Sequence, residues 1–216
     1  MKKLIGYLFA LSLLFVVGQA QAQDADEECH GCPPSHDIKT LAGSVRHFGF
    51  YGGLSFRSTE LNKESLMMAG VRLGFIANRS LGIGFEAYGI VPTTNYRNII
   101  PNQSVIPLGG YGGLTIEPIL WSNKAVHLTF PVTGGAGWLG YHEDWNEDYY
   151  NNGDLLADDV FWYVEPGINA EINISRVLRV DIGVSKRFLQ DFTLLNTPAS
   201  AFETLNYTFG LKIGRF

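Results

Sequence analysis

The sequence predicts an all-β fold, an eight-stranded antiparallel up-and-down transmembrane β-barrel with short periplasmic turns and longer extracellular loops. Three observations support this prediction. Eight stretches of the chain alternate apolar and polar residues with the period of two that is typical of strands. Each stretch is long enough to cross a bilayer as a tilted strand. All eight follow an N-terminal segment that has the features of an export signal.

The first four stretches each place apolar side chains on one face and polar or small side chains on the other. They are Ser44–Arg57, Leu66–Ala77, Leu81–Ile90 and Val105–Leu120. In the first, Phe48, Phe50 and Phe56 share one face, whereas Tyr51 and Arg57 lie on the opposite face. This alternation predicts strands with two chemically different sides.

The last four stretches follow the same rule and reach the end of the chain. They are Ala125–Tyr141, Val160–Ile172, Leu178–Phe188 and Thr204–Phe216. In the seventh, Val180 and Ile182 alternate with Arg179 and Asp181. An even number of strands brings both ends of the barrel to the same side of the membrane.

The connections between the predicted strands alternate in length. Three are short, namely 78–80, 121–124 and 173–176, and four are longer, namely 58–65, 91–104, 142–159 and 189–203. Bacterial outer-membrane barrels have short periplasmic turns and longer extracellular loops. We therefore expect the protein in the bacterial cell outer membrane, with its N- and C-termini in the periplasm.

Residues 1–22 are predicted to be a signal peptide. Lys2 and Lys3 precede an apolar run from Leu4 to Val17, and the segment ends at Ala22 in an A-x-A pattern. This run is shorter than the ~20 residues that span a bilayer, so cleavage is expected and no transmembrane helix is expected in the mature chain. Residues 23–43 are expected to form a periplasmic tail, and residues 44–216 the barrel.

The charge of the mature chain argues against nucleic acid as a partner. Removing Lys2 and Lys3 from the 16 basic residues leaves 14 against 21 acidic residues, a net charge of −7. Nucleic-acid-binding proteins present basic surfaces instead. Outer-membrane lipid and lipopolysaccharide are the expected surroundings, and no cofactor is expected.

The apolar face of each strand is expected to point outwards to lipid. A soluble lipocalin-like barrel has the same alternation with the two faces exchanged. Here the apolar faces carry almost no charge, with Lys186 as the main exception, and the polar faces are rich in Gly, Tyr, Thr and Asn instead of Lys and Glu. Aromatic residues also lie towards the strand ends on the apolar face, as in membrane girdles. They are Phe48, Trp121, Trp138, Trp162 and Tyr207.

With this strand count, loop alternation and closing segment 207–216, the chain resembles the small OmpA/OmpX-type outer-membrane barrel family. The resemblance covers about residues 44–216 and implies that Phe216 ends a signal read by the barrel-assembly machinery. Counting back from Phe216, the apolar residues Phe209, Leu211 and Ile213 are out of step with it by one. Either a bulge near Gly214 resets the register, or the match to the family signal is looser.

Ten charged residues are predicted to point into the barrel, five of each sign. They are Arg57, Arg72, Arg179, Arg187 and Lys212 with Glu86, Glu117, Glu165, Glu171 and Asp181. Turn positions predict three facing pairs, Arg72 with Glu86, Glu171 with Arg179, and Glu117 with His127. Since an eight-stranded barrel is just wide enough for side chains to fill, a packed polar interior and poor conductance are expected.

The predicted tail contains Cys29 and Cys32, followed by His36. Thiolates and imidazole at this spacing suit a metal ion such as zinc or copper, and two cysteines at this spacing also suit a redox-active pair. Export favours a Cys29–Cys32 disulfide over both alternatives.

The third outer loop, His142–Asp159, is the best candidate for contact with an extracellular partner, whose identity is unknown. Trp145, Tyr149 and Tyr150 are the aromatic residues that could make such contact. The same loop half-matches a calcium-binding loop, but Tyr150 occupies a position that needs an oxygen ligand. A solvated acidic loop is therefore the preferred interpretation.

A structural, envelope-integrity or surface-interaction role follows from these features, and no enzymatic activity is expected. Some barrels of this architecture resemble lipid A-modifying enzymes, which need a histidine beside a nucleophile and a carboxylate. His127, Thr129 and Glu117 come nearest to such a set, but they lie close to a predicted periplasmic turn. A narrow porin-like channel is the other alternative.

Overall fold

The computed structural model describes residues 47–93, 95–100, 103–143 and 155–216, the side chains of residues 97, 98, 100 and 103 excepted. Its strands are β1 (Phe48–Leu61), β2 (Glu64–Ala77), β3 (Leu81–Val91), β4 (Tyr96–Ile100), β5 (Gln103–Leu120), β6 (Val126–Thr129), β7 (Val132–Glu143), β8 (Leu155–Asn173), β9 (Leu178–Lys186), β10 (Phe188–Gln190) and β11 (Leu205–Arg215). A short 3₁₀ turn spans Ala199–Ala201. Among the described residues, no helix has the length and apolar content needed to cross a bilayer.

The strands close into a ring with eight positions. β1 pairs with β2 on one side and with β11 on the other, so the first and last strands join. β6 and β7 together fill one position between β5 and β8, and β9 with β10 fills the position after β8. Every pairing is antiparallel, as predicted. β4 is not one of the eight ring positions and pairs only with the start of β5.

The predicted fifth strand is interrupted where the sequence contains a proline. β6 ends at Thr129 and β7 begins at Val132, because Pro131 has no backbone N–H to donate to the ladder. The break stays closed all the same. The Phe130 N–H donates to the Pro118 carbonyl at 3.0 Å, and the Pro131 carbonyl accepts from the Gly167 N–H at 2.8 Å.

The two ends of the barrel differ. The turns at 78–80, 121–125 and 174–177 lie at the end where β1 begins and β11 finishes, and we name this the terminal end. The opposite end, which we name the loop end, carries the remaining connections. One of these departs from prediction, because the loop expected at 58–65 is a two-residue turn. Asn62 and Lys63 both have left-handed backbone (φ 56° and 69°), as tight hairpins require.

The two faces of the sheet point as the sequence predicts. Large apolar side chains are exposed on the outside of the ring, including Phe48, Leu114 and Trp162 at 62%, 70% and 61%. Lys186, the expected exception, is exposed near the loop end and lies 5.6 Å from the ring of Phe188. Polar and charged side chains are buried inside.

Candidate functional site

The interior of the barrel holds all ten charged residues that alternation assigns to it. None is more than 6% exposed, although each belongs to a residue type that is rarely buried unless it is paired. Their burial follows from the period of two, which turns each of these side chains inwards along with Gly, Thr, Ser and Tyr. The interior is therefore a network of charges, and the way in which these charges pair determines whether the barrel is closed or open.

The middle of the network is built from guanidinium groups and carboxylates. Arg72 Nη1 lies 2.8 Å from Asp181 Oδ2, and Arg72 Nε lies 3.4 Å from Glu86 Oε2. Arg57 Nη1 lies 2.6 Å from Glu165 Oε1 and its Nη2 lies 3.9 Å from Glu86. Each arginine bridges two acids on different strands, so the pairs tie the walls of the barrel together.

Aromatic rings fill the space between these charges. The Arg57 guanidinium lies 3.8 Å from the centre of the Tyr88 ring. The Arg187 guanidinium lies between Tyr111 and Phe202, 4.1 Å from each ring centre. Contacts of this kind stabilise a desolvated cation, and they leave little room for water beside it.

A second group of charges lies nearer the terminal end. Lys212 Nζ lies 3.1 Å from Glu117 Oε2 and also contacts Glu171. Glu171 lies 3.0 Å from His127 Nε2 and 3.3 Å from Arg179 Nη1. Glu171 is thus the acid on which three basic side chains converge.

Phe216 closes the terminal end from inside. Its ring stacks on Tyr51 at 6.3 Å between centres, and the Arg179 guanidinium lies 3.8 Å from its ring centre. It packs against a small apolar cluster that includes Ile76 and Ile119.

The last strand reaches Phe216 without a bulge. Its pairing with β1 runs in unbroken register from Ser58 with Tyr207 to Phe50 with Arg215. The apparent offset of Phe216 therefore arises because its side chain points inwards.

The structure brings two of the three predicted pairs together. Arg72 and Glu86 lie directly across from each other on β2 and β3. Glu171 and Arg179 are in contact, although the residue across from Glu171 is Asp181, two positions beyond Arg179. The β8–β9 turn is therefore centred one residue later than expected.

The predicted pairing of Glu117 with His127 is wrong. The β5–β6 register pairs Ile119 with Thr129, which centres the turn near residue 124 instead of 122. His127 lies across from Glu171 instead. The longer turn begins at Trp121, whose backbone is left-handed (φ 57°), a feature that the sequence pattern does not reveal.

The loop end of the interior is apolar, which sequence reasoning missed. Inward side chains from several strands form one cluster there with residues of the last loop. Its buried members are Leu61, Leu66, Met68, Tyr88, Tyr96, Ile99, Val105, Tyr111, Leu139, Tyr141, Phe161, Tyr163, Leu189, Phe192, Leu194 and Phe202. The sequence contains a signal for this cluster, because several inward positions near strand ends hold apolar residues. The clearest examples are Leu61, Leu66 and Met68.

The connection between β10 and β11 folds into this end of the barrel. Phe192 and Phe202 pack edge-on against Phe161, with ring centres 5.6 and 5.9 Å away. Polar contacts hold the connection to its neighbours. Tyr141 Oη lies 2.7 Å from Thr197 Oγ1, and Asn196 Nδ2 donates to the carbonyl of Ile99 at 3.0 Å. The predicted outer loop therefore covers the mouth of the barrel.

Tyr96 of β4, in the connection between β3 and β5, belongs to the same apolar cluster at the loop end. Its hydroxyl lies 3.4 Å from the Ser65 carbonyl, and its side chain is almost fully buried. Burial and the nearby Glu64 carboxylate raise the pKa of Tyr96 above its ordinary value. The hydroxyl therefore stays protonated, and able to donate to the Ser65 carbonyl, to a higher pH than an ordinary tyrosine does.

These layers fill the described interior with paired charges and packed rings. A cavity of about 20 Å³ remains in the polar middle, with Arg57, Glu86, Glu165 and Lys212 among its lining residues. A volume of that size holds about one water molecule. The arrangement suits a closed scaffold better than a passage.

The residues of the catalytic alternative do not assemble into a triad. Thr129 Oγ1 donates to Glu117 at 2.7 Å, but the Nε2 atom of His127 bonds to Glu171. Thr129 is fully buried, so its hydroxyl is out of reach of a substrate outside the barrel.

The other predicted site residues lie outside the described residues. These are Cys29, Cys32 and His36 in the tail, and Trp145, Tyr149 and Tyr150 in the third outer loop. Within the part of the chain that the structure does describe, no three His, Cys, Asp or Glu side chains are grouped so that they could hold a metal ion.

Comparison with known proteins supports the architecture. No protein-family model and no curated protein matches the chain. The crystal structure of Neisserial surface protein A (NspA) matches with a TM-score of 0.51 at 8% identity, covering 77% of this chain and 96% of that one. Ail, the attachment invasion locus protein of Yersinia pestis, matches with a TM-score of 0.46 at 10% identity, covering 77% and 95%. The outer membrane protein OprG from Pseudomonas aeruginosa matches at 0.42 and 11%, covering 77% and 94%. The likeness to NspA confirms that this chain has the fold of the small OmpA/OmpX-type outer-membrane barrels.

Proposed function

We propose that this chain is a closed outer-membrane barrel with a structural, envelope-integrity or surface-interaction role, its two ends lying in the periplasm. The observation that carries the proposal is the combination of an exposed apolar exterior with a paired and filled interior. The exterior matches lipid, and the described interior is occupied by paired charges and packed rings. What remains available to act on the surroundings is the surface formed by the outer connections.

Protein inserted in this orientation exposes the third outer loop to the medium. A peptide epitope inserted after Asn152 should be labelled by antibody on intact cells. The same epitope inserted after Asn123, in a turn of the terminal end, should be labelled only after the outer membrane is permeabilised. Both variants should keep the heat-modifiable gel mobility of a folded barrel, and the reverse labelling pattern would contradict the proposed orientation.

A surface-interaction role is favoured by the aromatic content of the third outer loop, which contains Trp145, Tyr149 and Tyr150. The experiment is a pull-down of extracellular proteins with the purified barrel in native lipid. Replacing residues 144–154 with a Gly/Ser linker of equal length should abolish any specific capture while the gel mobility stays that of a folded barrel. Capture that is unchanged by the replacement would contradict a role for this loop, and the absence of any specific capture would leave the structural role as the better account.

The proposal includes no enzymatic activity. His127, the histidine of the catalytic alternative, is buried and bonded to Glu171. In the proposed orientation it lies towards the periplasmic side, away from lipid A in the outer leaflet. Mass spectrometry should therefore find identical lipid A in cells with the gene and in cells without it. A change in acylation that His127→Ala also produces would support the enzyme instead.

The proposed partners during biogenesis and residence are the barrel-assembly machinery, outer-membrane lipid and lipopolysaccharide. The aromatic Phe216 directly follows the closing strand β11, as in the assembly signal of such barrels. The inward packing of Phe216 on Tyr51 gives that residue a second use in the folded protein. Phe216→Ala should therefore slow assembly in cells and also weaken the purified barrel, whereas loss of only one property would separate the two uses.

A further inference from the structure

The terminal end of the barrel has four joints between neighbouring strands. Three are the turns between β2 and β3, β5 and β6, and β8 and β9, and the fourth is where β11 finishes beside the start of β1. Each joint carries one arginine or lysine, namely Arg79, Lys124, Arg176 and Arg215. We name these four residues the basic rim.

All four side chains of the basic rim are exposed, and no ion pair joins any of them to another described residue. Within the described chain, no acidic side chain at this end lies outside the barrel interior. The lack of neighbouring carboxylates contrasts with the barrel interior, where every cation has an acidic partner. Among the described residues, these four charges therefore have no acidic partner that would compete with a ligand.

Apolar side chains flank the basic rim on the outside of the barrel. Trp121, Ile174 and Val177 lie within the same turns and are 57–58% exposed. The ammonium of Lys124 lies 5.5 Å from the Trp121 ring centre. A cation beside exposed apolar groups at the end of a membrane-spanning strand is the pattern that anchors proteins at the headgroup level of a bilayer.

The loop end has a different balance of charge. It carries two exposed described lysines, Lys63 and Lys186, together with the exposed acids Glu60, Asp158 and Asp191. Uncompensated positive charge is therefore a property of the terminal end alone among the described residues, and it is spread over all four joints. A protein partner would be expected to bind a patch of positive charge on one side of the barrel. Positive charge that is spread around the whole circumference is instead suited to the lipid that surrounds the barrel.

We infer that the basic rim binds the phosphates of anionic phospholipids in the leaflet that surrounds the terminal end. Phosphatidylglycerol is the simplest lipid with this chemistry. Basic residues close to a bilayer surface attract such headgroups, and the attraction falls off within a Debye length. The inference rests on the proposed membrane function, because only a spanning barrel holds this rim at a headgroup layer.

Trp121 provides a reporter beside the rim. The protein has four tryptophans, and Trp138→Phe, Trp145→Phe and Trp162→Phe leave Trp121 as the only one. The mature protein is folded into vesicles of phosphatidylcholine and phosphatidylglycerol in equal amounts. Bromine, which quenches tryptophan fluorescence on contact, is attached to the acyl chains of one lipid or the other. The membrane is thus the same in both samples, and only the labelled lipid changes.

Brominated phosphatidylglycerol should quench Trp121 about twofold more than brominated phosphatidylcholine at low salt, and the difference should shrink at high salt. The variant Arg79→Gln/Lys124→Gln/Arg176→Gln/Arg215→Gln should abolish the preference. The matched control Lys63→Gln/Lys186→Gln removes exposed lysines from the loop end and should retain it. A second reporter protein that keeps only Trp162 should show no dependence on the rim residues.

Equal quenching of Trp121 by the two lipids in protein with an intact rim would overturn the inference while leaving the membrane-spanning proposal in place. A preference that survives in the four-residue variant would also overturn it. Absence of quenching by both lipids would contradict the membrane-spanning proposal itself, and the inference with it. Heat-modifiable gel mobility checks that each variant is folded before its fluorescence is compared.

Discussion

The buried charges are residues on which the stability of the barrel depends. A charge taken out of water is tolerated only where it is paired and hydrogen-bonded. Lys212 serves two acids at once, Glu117 at 3.1 Å and Glu171 at contact distance. Glu171 keeps two further partners, whereas Glu117 retains only hydroxyl donors, such as Thr129. Loss of Lys212 should therefore affect Glu117 most.

Lys212→Met should lower the free energy of unfolding by about 3–5 kcal/mol, because it leaves a buried carboxylate unpaired. Urea unfolding in lipid vesicles, followed by tryptophan fluorescence, measures this loss. Adding Glu117→Gln should recover part of it, since the second change removes the orphaned charge. Lys186→Met, at an exposed position, should change the free energy by less than about 0.5 kcal/mol. Equal effects of the two lysine variants would show that the interior charges are solvated.

Glycine on the inward face makes room for aromatic rings. A Cβ atom added to Gly137 would lie 2.6 Å from Tyr111 Cβ and 2.5 Å from the Phe161 ring, closer than van der Waals contact permits. Gly137→Ala should therefore destabilise the barrel by about 1–3 kcal/mol. Gly89→Ala meets no atom within 4 Å and should have an effect below about 0.5 kcal/mol in the same unfolding assay. A neutral Gly137→Ala would mean that the interior is loosely packed.

At the scale of strands, the alternation of apolar and polar residues predicted correctly which side chains face inwards. The expected positions of the turns predicted less reliably which residues lie opposite each other on neighbouring strands. The ten inward charges follow from the period of two alone. The Arg72–Glu86 pair was predictable because its turn, residues 78–80, is a short three-residue hairpin with left-handed backbone at Asn78 and Arg79. The longer turn from Trp121 to Ala125 has no such signature. When the centre of this turn shifts by two residues, every side chain stays on the same face of the sheet. Each residue then lies opposite a different residue on the neighbouring strand.

The inward apolar residues near the strand ends could be recognised from the alternation, but the part of the apolar cover that the last connection supplies was not predictable in this way. Alternation describes strands, whereas Phe192, Leu194 and Phe202 belong to a connection that has no period. Their burial depends on the inward Phe161 and Tyr141 of other strands, which lie far away in the sequence. Contacts between a loop and a distant strand leave no local signal in the chain.

Phe202→Ala should detach this cover from the barrel mouth. Phe202 is buried, contacts the Phe161 ring and lies over the Arg187 guanidinium, so its loss should lower the free energy of unfolding by about 3–5 kcal/mol. It should also make residues 189–203 sensitive to proteinase K in vesicles. Leu195→Ala changes an exposed residue of the same connection and should do neither. Equal cleavage of the two variants would contradict a folded-in connection.

For the whole molecule, the eight-stranded ring sets the width of the interior, and the paired charges and rings fill it. Three layers succeed one another along the axis. Phe216 and Tyr51 lie at the terminal end, the arginine network lies in the middle, and the Phe161–Phe202 cluster lies at the loop end. Because the three layers succeed one another, we expect that opening one alone does not create a pore.

Single-channel current across a planar bilayer tests this closed interior most directly. The purified mature protein, inserted from detergent and shown to be folded by its gel mobility, should give no steady openings over a range of voltages. Phe202→Ala should also remain silent, because the arginine network below it still blocks the path. Steady nanosiemens openings of the unaltered protein would contradict a closed interior and would favour a channel.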